Sequence, residues 1–514
     1  MSDRTKSEAA KSEEWFQAES SPVDEEKDGM PVGEAASPNH ERHTPQLPRE
    51  IRAVRDGQNY HHKGRNIIVA LDGTGDQFDS DNSNIVHLVS CLKKSDPSQV
   101  SYYQSGIGTY DGGGLSNGMN AAVDMAVGSG LGVHIRDAYR YLMQTYKEGD
   151  KICLFGFSRG AYTARCLAGM IHKVGLLPAH NVAQVPFAYQ YYKDDSDEGW
   201  KMSADFKKTF SINVNVYFVG VFDSVASVGF IPRKLPLSST PTNRSVYFRH
   251  AMALDERRAK FKACRYRERT GFGSKAEWKV MAEEGDASSV STDVHEVWFT
   301  GCHADVGGGA VKNEVRHKLS QIPLRWMIRQ CFECNTGIIF KTHRLAEEGI
   351  DVHTLWPLYT KLPNPGELPP PDIAERHKKG ELGPIERRAS VLEPVKKDEP
   401  MGMHHVNLYD DKEKRKLSQN WIPEQIEDYF DGISDINDQL KVGKSWWILE
   451  FWPVKVRFWK NEEWVKKVTL NRGRHRCAQE AKPNLHWTVE QRMHVLGYEN
   501  KVRTDGKSVW TTVV

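Results

Sequence analysis

The sequence predicts an α/β fold: a mostly parallel sheet flanked by helices. Two observations carry that expectation. Short β-rich runs (SYYQ, KICLF, VNVYFVGVF, VHEVWFT) alternate with segments whose apolar residues recur at helical spacing, such as VHIRDAYRYLMQTY and SRGAYTARCLAGMIHKV. The run that opens the series, Ile67 to Leu71, is continuously apolar, as a strand buried on both faces must be. With 514 residues, 39% hydrophobic and 27% charged, the chain can build one large core or two modest ones.

Taken in order, residues 1–62 are rich in Ser, Glu, Lys and Pro and poor in aliphatics, so they cannot bury enough surface to offset their ordering entropy; a disordered tail is expected. The start lacks the basic and apolar regions of a signal peptide, and no later stretch supplies about 18 uncharged apolar residues. A cytoplasmic protein without a transmembrane segment is the expectation. Residues 63–345 hold the strand and helix alternation. Residues 363–400 mix prolines with charges and are expected to form a flexible insertion, in which Ser390 of RRAS is either a phosphate acceptor or, more commonly for such loops, simply solvated. Residues 401–514 form a Trp-rich segment expected to pack on the preceding domain. No repeat of solenoid or propeller period occurs.

The formal net charge of +2 provides no global field for nucleic acid, and no nucleic-acid partner is expected. The eight cysteines are scattered through apolar or helical contexts, which fits a reducing compartment. Cys331 and Cys334 make a C-x-x-C, but no second pair follows at zinc spacing, and LRWMIRQCFECN reads as an amphipathic helix carrying buried thiols.

The chemistry is read first from Gly156-Phe157-Ser158-Arg159-Gly160, a G-x-S-x-G pattern between the strand KICLF and a helical run with small or apolar residues at Ala161, Ala164, Ala168 and Ile171. Gly156 and Gly160 let the chain turn sharply, so that Ser158 projects above the sheet at a helix N-terminus. A capping serine is the bland alternative. A serine nucleophile needs a base, and the base needs an orienting carboxylate, in chain order Ser, Asp or Glu, His for this elbow. Asp223 follows the strand VNVYFVGVF, and His303 and Asp305 follow VHEVWFT. Catalytic groups in parallel sheets gather at the carboxyl ends of strands, so Ser158, Asp223 and His303 are expected to converge. His250 is a rival base, but it leads into a helix-like charged segment where a helix end or a carboxylate such as Asp255 would satisfy it. Asp305 stands too close to His303 in sequence to orient it easily and is read as support. After the first strand, which ends in Leu71-Asp72, the turn at Gly73 and Thr74 is the expected second contributor to an oxyanion hole beside the amide of Arg159, with Asp72 in support. An aspartyl-phosphate chemistry at Asp72 would want a second Asp two residues on, where Thr74 stands. The glycines of GIGTYDGGG and VGGGA lack the P-loop lysine and the dinucleotide spacing.

The segments LDGTGD with NSNIVHL, GFSRGAYTAR, FDSVASVG, HAMALDERR and VWFTGCHADVGGG together resemble the catalytic domain of type VI secretion phospholipase effectors of the first Tle class, an α/β-hydrolase family, here in a stand-alone form of fungal type. The resemblance spans about Ile67 to Gly309 and implies Ser158, Asp223 and His303 at the family's triad positions. It also implies hydrolysis of a carboxylic ester, phospholipids included, with a small-molecule or lipid ester as substrate and no cofactor or metal. The tail and the Trp-rich segment lie outside the shared motifs, so secretion and toxicity are not carried over. A non-catalytic interaction protein that keeps the fold is the alternative. In the C-terminal segment, Trp446, Trp447, Trp452, Trp459 and Trp464 interleave with Lys455, Arg457, Lys460, Lys466 and Lys467. Two readings stay open: anchors for peripheral contact with an anionic membrane, or strands whose tryptophans cover the core.

Overall fold

The computed structural model describes residues 46–55, 61–74, 76–106, 119–225, 245–266, 291–352, 355, 364–382, 392–394, 401–403 and 423–514, all within one compact unit, Pro45–Val514. Eight strands form its central sheet: β1 (Asn66–Leu71), β2 (Gln99–Gln104), β3 (Lys151–Phe157), β4 (Val216–Phe222), β5 (Ser245–Ala253), β6 (Asp293–Phe299), β7 (Asn484–His486) and β8 (Thr511–Val513). Their order is β8-β7-β6-β5-β4-β3-β1-β2, and every neighbouring pair is parallel. The order reverses between β1 and β3, which makes the crevice beyond their carboxyl ends the natural place for a site.

Alternation along the buried strands divides the core into two layers. Ile67, Val69 and Leu71 of β1 with Ile152 and Leu154 of β3 face one layer. Ile68 and Ala70 with Cys153, Phe155 and Phe157 face the other. The first layer is covered by α1 (Met119–Thr145) and α2 (Ser158–Val174), through residues such as Ile135, Tyr139, Ala164 and Leu167. The second is covered by the helices Asn84–Cys91 and Gln321–Glu333. Each fully buried Leu, Ile or Phe in these layers contributes about 1.5–3 kcal/mol, so the sheet is held from both sides by the hydrophobic effect. All eight cysteines are free, and Cys331 and Cys334 are buried at the end of the helix Gln321–Glu333.

Register brings the site together. Leu71 pairs with Gly156, Phe157 with Phe222, Phe222 with Ala251 and Ala253 with Phe299. The residues that follow these pairs therefore leave the sheet at one end: Asp72 after β1, Ser158 after β3, Asp223 after β4 and His303 after β6.

Three boundaries differ from the sequence expectation. Part of the expected disordered tail is structured: Glu50–Arg52 pairs antiparallel with Ile339–Lys341, and Ala53 is buried, its amide donating to Ile338 O at 2.7 Å. Residues 1–45 lie outside the described residues. In the expected flexible insertion, Pro371–Lys378 is a helix whose Ile373 is buried with Phe430, while His377 stacks on Phe430 at 4.0 Å. One apolar residue and one aromatic stack anchor a segment whose composition is otherwise that of a loop; Ser390 lies outside the described residues. The C-terminal segment does more than pack on the domain, because it supplies β7 and β8 to the central sheet, with Asn484 opposite Val297 and Leu485 opposite Trp298. No described helix is long and apolar enough to cross a membrane.

Candidate active site

The turn from β3 into α2 occurs at a single residue. Ser158 is the first residue of the helix, with φ 57°, a conformation that costs a non-glycine residue of order 1–3 kcal/mol unless its surroundings enforce it. The flanking glycines enforce it. A Cβ on Gly160 would overlap the carbonyl oxygens of Leu71 and Asp72, and one on Gly156 would lie 2.6 Å from Cα of Ala161. The helix thus starts pressed against the end of β1, and the Ser158 side chain is driven out over the sheet edge.

There it meets His303. The imidazole Nε2 lies 2.8 Å from Ser158 Oγ and Nδ1 lies 2.6 Å from Asp223 Oδ2. Ser158 and His303 are buried apart from a small exposed fraction, and Asp223 is fully buried. His303 heads the short helix His303–Gly307, and its ring is held between Phe157 and Phe261, with ring centroids at 4.8 and 4.9 Å. Burial holds its pKa below the ordinary histidine value, against the opposing pull of Asp223, so the imidazole is neutral at neutral pH and able to accept a proton. Asp223, with φ 37°, also sits in a left-handed turn directly after its strand. Burial alone would raise its pKa, but the guanidinium of Arg476 and the hydrogen bond from His303 outweigh burial and hold the carboxyl well below the usual range.

The three residues expected from chain order are therefore brought together, and the supporting residues are redistributed. His250 is neither beside Ser158 nor at the start of a helix, because YFRHAMA is strand β5. Its Nδ1 pairs with Glu296 at 2.8 Å rather than with Asp255, and its Nε2 accepts the Ser224 amide at 3.1 Å. Alternating small and bulky residues in HAMALDERR hid a buried strand behind a charged end. Asp305 caps its own helix, accepting the Cys302 amide at 2.8 Å, and also accepts from the Asn437 side chain at 2.7 Å; it does not orient His303. Asp72 accepts from Tyr103 Oη and from the Gly73 amide, each at 2.8 Å. That last bond corrects one oxyanion expectation: the Gly73 N–H is already engaged within its own turn. Thr74 remains, its Oγ1 buried with no hydrogen-bond partner among the described residues. The Arg159 amide lies in the first turn of α2, where a helix provides no acceptor of its own.

Sequence reasoning missed the residues that hold this arrangement from outside the strand ends. Arg476 forks onto Asp223 with Nη1 to Oδ1 at 2.6 Å and Nη2 to Oδ2 at 2.8 Å. Glu256 accepts the backbone amide of His303 at 3.3 Å while paired with Arg258. A buried carboxylate signals that a cation must be near, but nothing in the run RGRHR tells which arginine turns inward.

Residues 65–330, more than half of the 514-residue chain, match the family described as "T6SS, Phospholipase effector Tle1-like, catalytic domain". The chain is 27% identical to the uncharacterized protein YEL023C of Saccharomyces cerevisiae, over 86% of this chain and 80% of that one. Among solved structures, an uncharacterized protein from Pseudomonas aeruginosa is similar at 19% identity and a TM-score of 0.33, covering 54% of this chain and 46% of that one. The Tle1 effector bound to the VgrG spike of the type 6 secretion system is similar at 18% identity and a TM-score of 0.27, covering 52% and 58%. This chain thus spans about half the length of those two structures. The family match runs from the first strand past the helix that carries His303, and so contains Ser158, Asp223 and His303 together. On that match, the chain belongs to the type VI secretion phospholipase effector Tle1-like catalytic domain family.

Proposed function

We propose that the protein is a serine hydrolase that cleaves carboxylic esters, phospholipids among them, through an acyl-enzyme. The observation that carries the proposal is the continuous chain from Ser158 Oγ to His303 Nε2 at 2.8 Å and from His303 Nδ1 to Asp223 Oδ2 at 2.6 Å. Ser158 Oγ attacks the ester carbonyl while Nε2 of His303 takes its proton. The same proton then passes to the departing alkoxide, and an ester of Ser158 remains. Water, deprotonated by His303, cleaves that ester and regenerates the serine. Asp223 keeps the Nδ1–H tautomer and stabilises the imidazolium. The oxyanion of each tetrahedral intermediate is met by the amide of Arg159 and by Thr74, whose buried hydroxyl lacks another partner among the described residues. Turnover of chromogenic acyl esters and labelled phospholipids by the purified chain tests the reading; no turnover of either class would favour an interaction protein that only keeps the fold.

A lipid substrate is supported by the C-terminal segment. Trp446 stacks edge-on against Phe261 at 5.6 Å, and Phe261 in turn contacts the His303 ring, so this segment reaches the rim of the site. Within it Val442 is 77%, Ile448 73%, Phe451 59% and Trp452 49% exposed, and Lys441, Lys444 and Lys455 are exposed in the same stretch. The hairpin Pro453–Lys460 and Glu463–Leu470 stands as its own two-stranded sheet, with Trp459 against Trp464. None of the five tryptophans Trp446, Trp447, Trp452, Trp459 and Trp464 is buried; the buried ones among the described residues are Trp200, Trp298, Trp326 and Trp487. Apolar side chains set among lysines fit an anionic bilayer. In vesicle flotation, the native chain is expected to bind phosphatidylserine-containing vesicles more than neutral ones. Replacing Ile448 and Phe451 together by Glu should lower binding about 100-fold, taking about 1.5 kcal/mol for each side chain withdrawn from the bilayer. Turnover of a soluble short-chain ester should not change. Undiminished vesicle binding by that variant would remove the membrane reading.

A further inference from the structure

We propose that Arg476 is a positioning residue for the site: it fixes and charge-balances Asp223, so the site is complete only when the C-terminal segment, beyond the family match at residues 65–330, is in place. The inference rests on the serine-hydrolase reading and assigns a part of that site to a region the shared motifs do not include.

Every acceptor position on Asp223 is spoken for. Oδ1 accepts the Ala253 amide at 3.0 Å and Arg476 Nη1 at 2.6 Å; Oδ2 accepts from His303 Nδ1 at 2.6 Å and Arg476 Nη2 at 2.8 Å. The guanidinium is itself tied down, donating to Ala253 O and, through Nε at 3.0 Å, to Phe261 O. Beyond it, Arg503 N donates to Arg476 O at 2.9 Å and Ala478 N donates to Arg503 O at 3.0 Å, so the segment is held on both sides. A planar fork matched to a planar carboxylate determines the rotation of that carboxylate, and hence the direction in which Oδ2 meets the imidazole. No single-point cation imposes that rotation.

The charge has a second effect. A buried, unbalanced carboxylate beside His303 would favour imidazolium and leave Nε2 unable to accept the serine proton. Several groups surround the pair. Asp223 and Glu256 favour the protonated ring, while Arg258 opposes it; Arg476 is forked onto Asp223 and also feels the charge of Glu256. Asp305 lies on the ring's own helix, Cys302 precedes it, and His250 of β5 feels the charge of Asp223 while paired with Glu296. Arg476 is the cation in contact with the carboxylate that the imidazole touches.

The test compares Arg476→Gln, which removes charge and fork, with Arg476→Lys, which keeps the charge alone. With a soluble ester, Arg476→Gln is expected to lower kcat about 10-fold to 100-fold, and to move the acid limb of kcat/KM up by about one pH unit, since loss of the cation lets Asp223 hold the His303 proton more tightly. Arg476→Lys is expected to keep the limb within about 0.3 unit of wild type and still lower kcat several-fold. The His303 titration midpoint, followed by NMR in histidine-labelled full-length protein, should move in the same order without any need for turnover. A wild-type chain with no esterase activity would thus defeat the hydrolase reading while the titration still judges Arg476. A folded Arg476→Gln protein with wild-type midpoint and kcat overturns the inference. Should that variant not fold, the lysine variant decides: an unmoved midpoint with reduced kcat supports the inference, and a displaced midpoint or an undiminished kcat overturns it.

Discussion

Alanine at position 158 is expected to lower kcat for an acyl ester by about a million-fold, to the level left by substrate binding and oxyanion contacts alone. The size follows from the geometry. Ser158 Oγ is the one atom placed both at the head of α2 and within 2.8 Å of His303 Nε2, so its loss removes the covalent route and leaves water unpositioned. Stability should change little. Alanine must hold the same positive φ as the serine it replaces, the glycines that enforce the turn are untouched, and the deleted hydroxyl is small. Near-UV circular dichroism and a melting curve close to wild type, combined with loss of turnover, separate a missing nucleophile from a lost fold. Retention of kcat within tenfold of wild type would remove Ser158 from the mechanism.

The second large effect is expected at Asp223. Changing Asp223 to Asn should lower kcat about ten-thousandfold, because the amide presents a donor to Nδ1 and forces the imidazole into the tautomer that carries its proton on Nε2. That nitrogen then faces Ser158 Oγ as a donor and cannot serve as base. Unlike the alanine at 158, this change should also reduce stability. It leaves the buried Arg476 guanidinium without its counter-charge, and breaking one side of a buried ion pair costs about 3–5 kcal/mol. The linkage has a definite sign. The folded-state pKa of Asp223 is depressed, so its stabilising contribution is fully present above the ordinary carboxylate range and is lost only as pH falls through the lower folded value. Wild type should therefore resist acid better than Asp223→Asn, and the two melting curves should converge at strongly acid pH.

What the sequence made legible is the frame of strand ends. SRGAYTARCLAGMIHKV corresponds residue for residue to the helix Ser158–Val174, because its small residues repeat at helical period and a glycine-flanked serine marks its start. Asp223 and His303 were legible for related reasons: Asp223 directly follows the apolar run VYFVGVF, His303 comes four residues after VWF, the apolar end of its strand, and parallel register carries such strand ends to one edge. Strand β5 was not legible, since His250 and Arg249 interrupt its apolar pattern, and their carboxylate partners, Glu296 and Asp293, stand on the next strand. The Gly73 amide could not be removed from the oxyanion set in advance, because its engagement depends on the rotamer of Asp72. Arg476 lay deepest. It sits in a basic, Trp-rich stretch that reads as surface, 253 residues from its partner, and its inward turn is held by bonds to Ala253 and Phe261, likewise distant in sequence, and to Arg503.

The most direct test of the central claim is reaction of the native chain with a fluorophosphonate probe, followed by peptide mapping. A serine made nucleophilic by His303 and Asp223 is expected to be modified stoichiometrically and at Ser158 alone, with labelling abolished in His303→Ala and falling as the imidazole protonates at acid pH. A native protein that remains unlabelled, or is labelled elsewhere with Ser158 intact, would contradict the account.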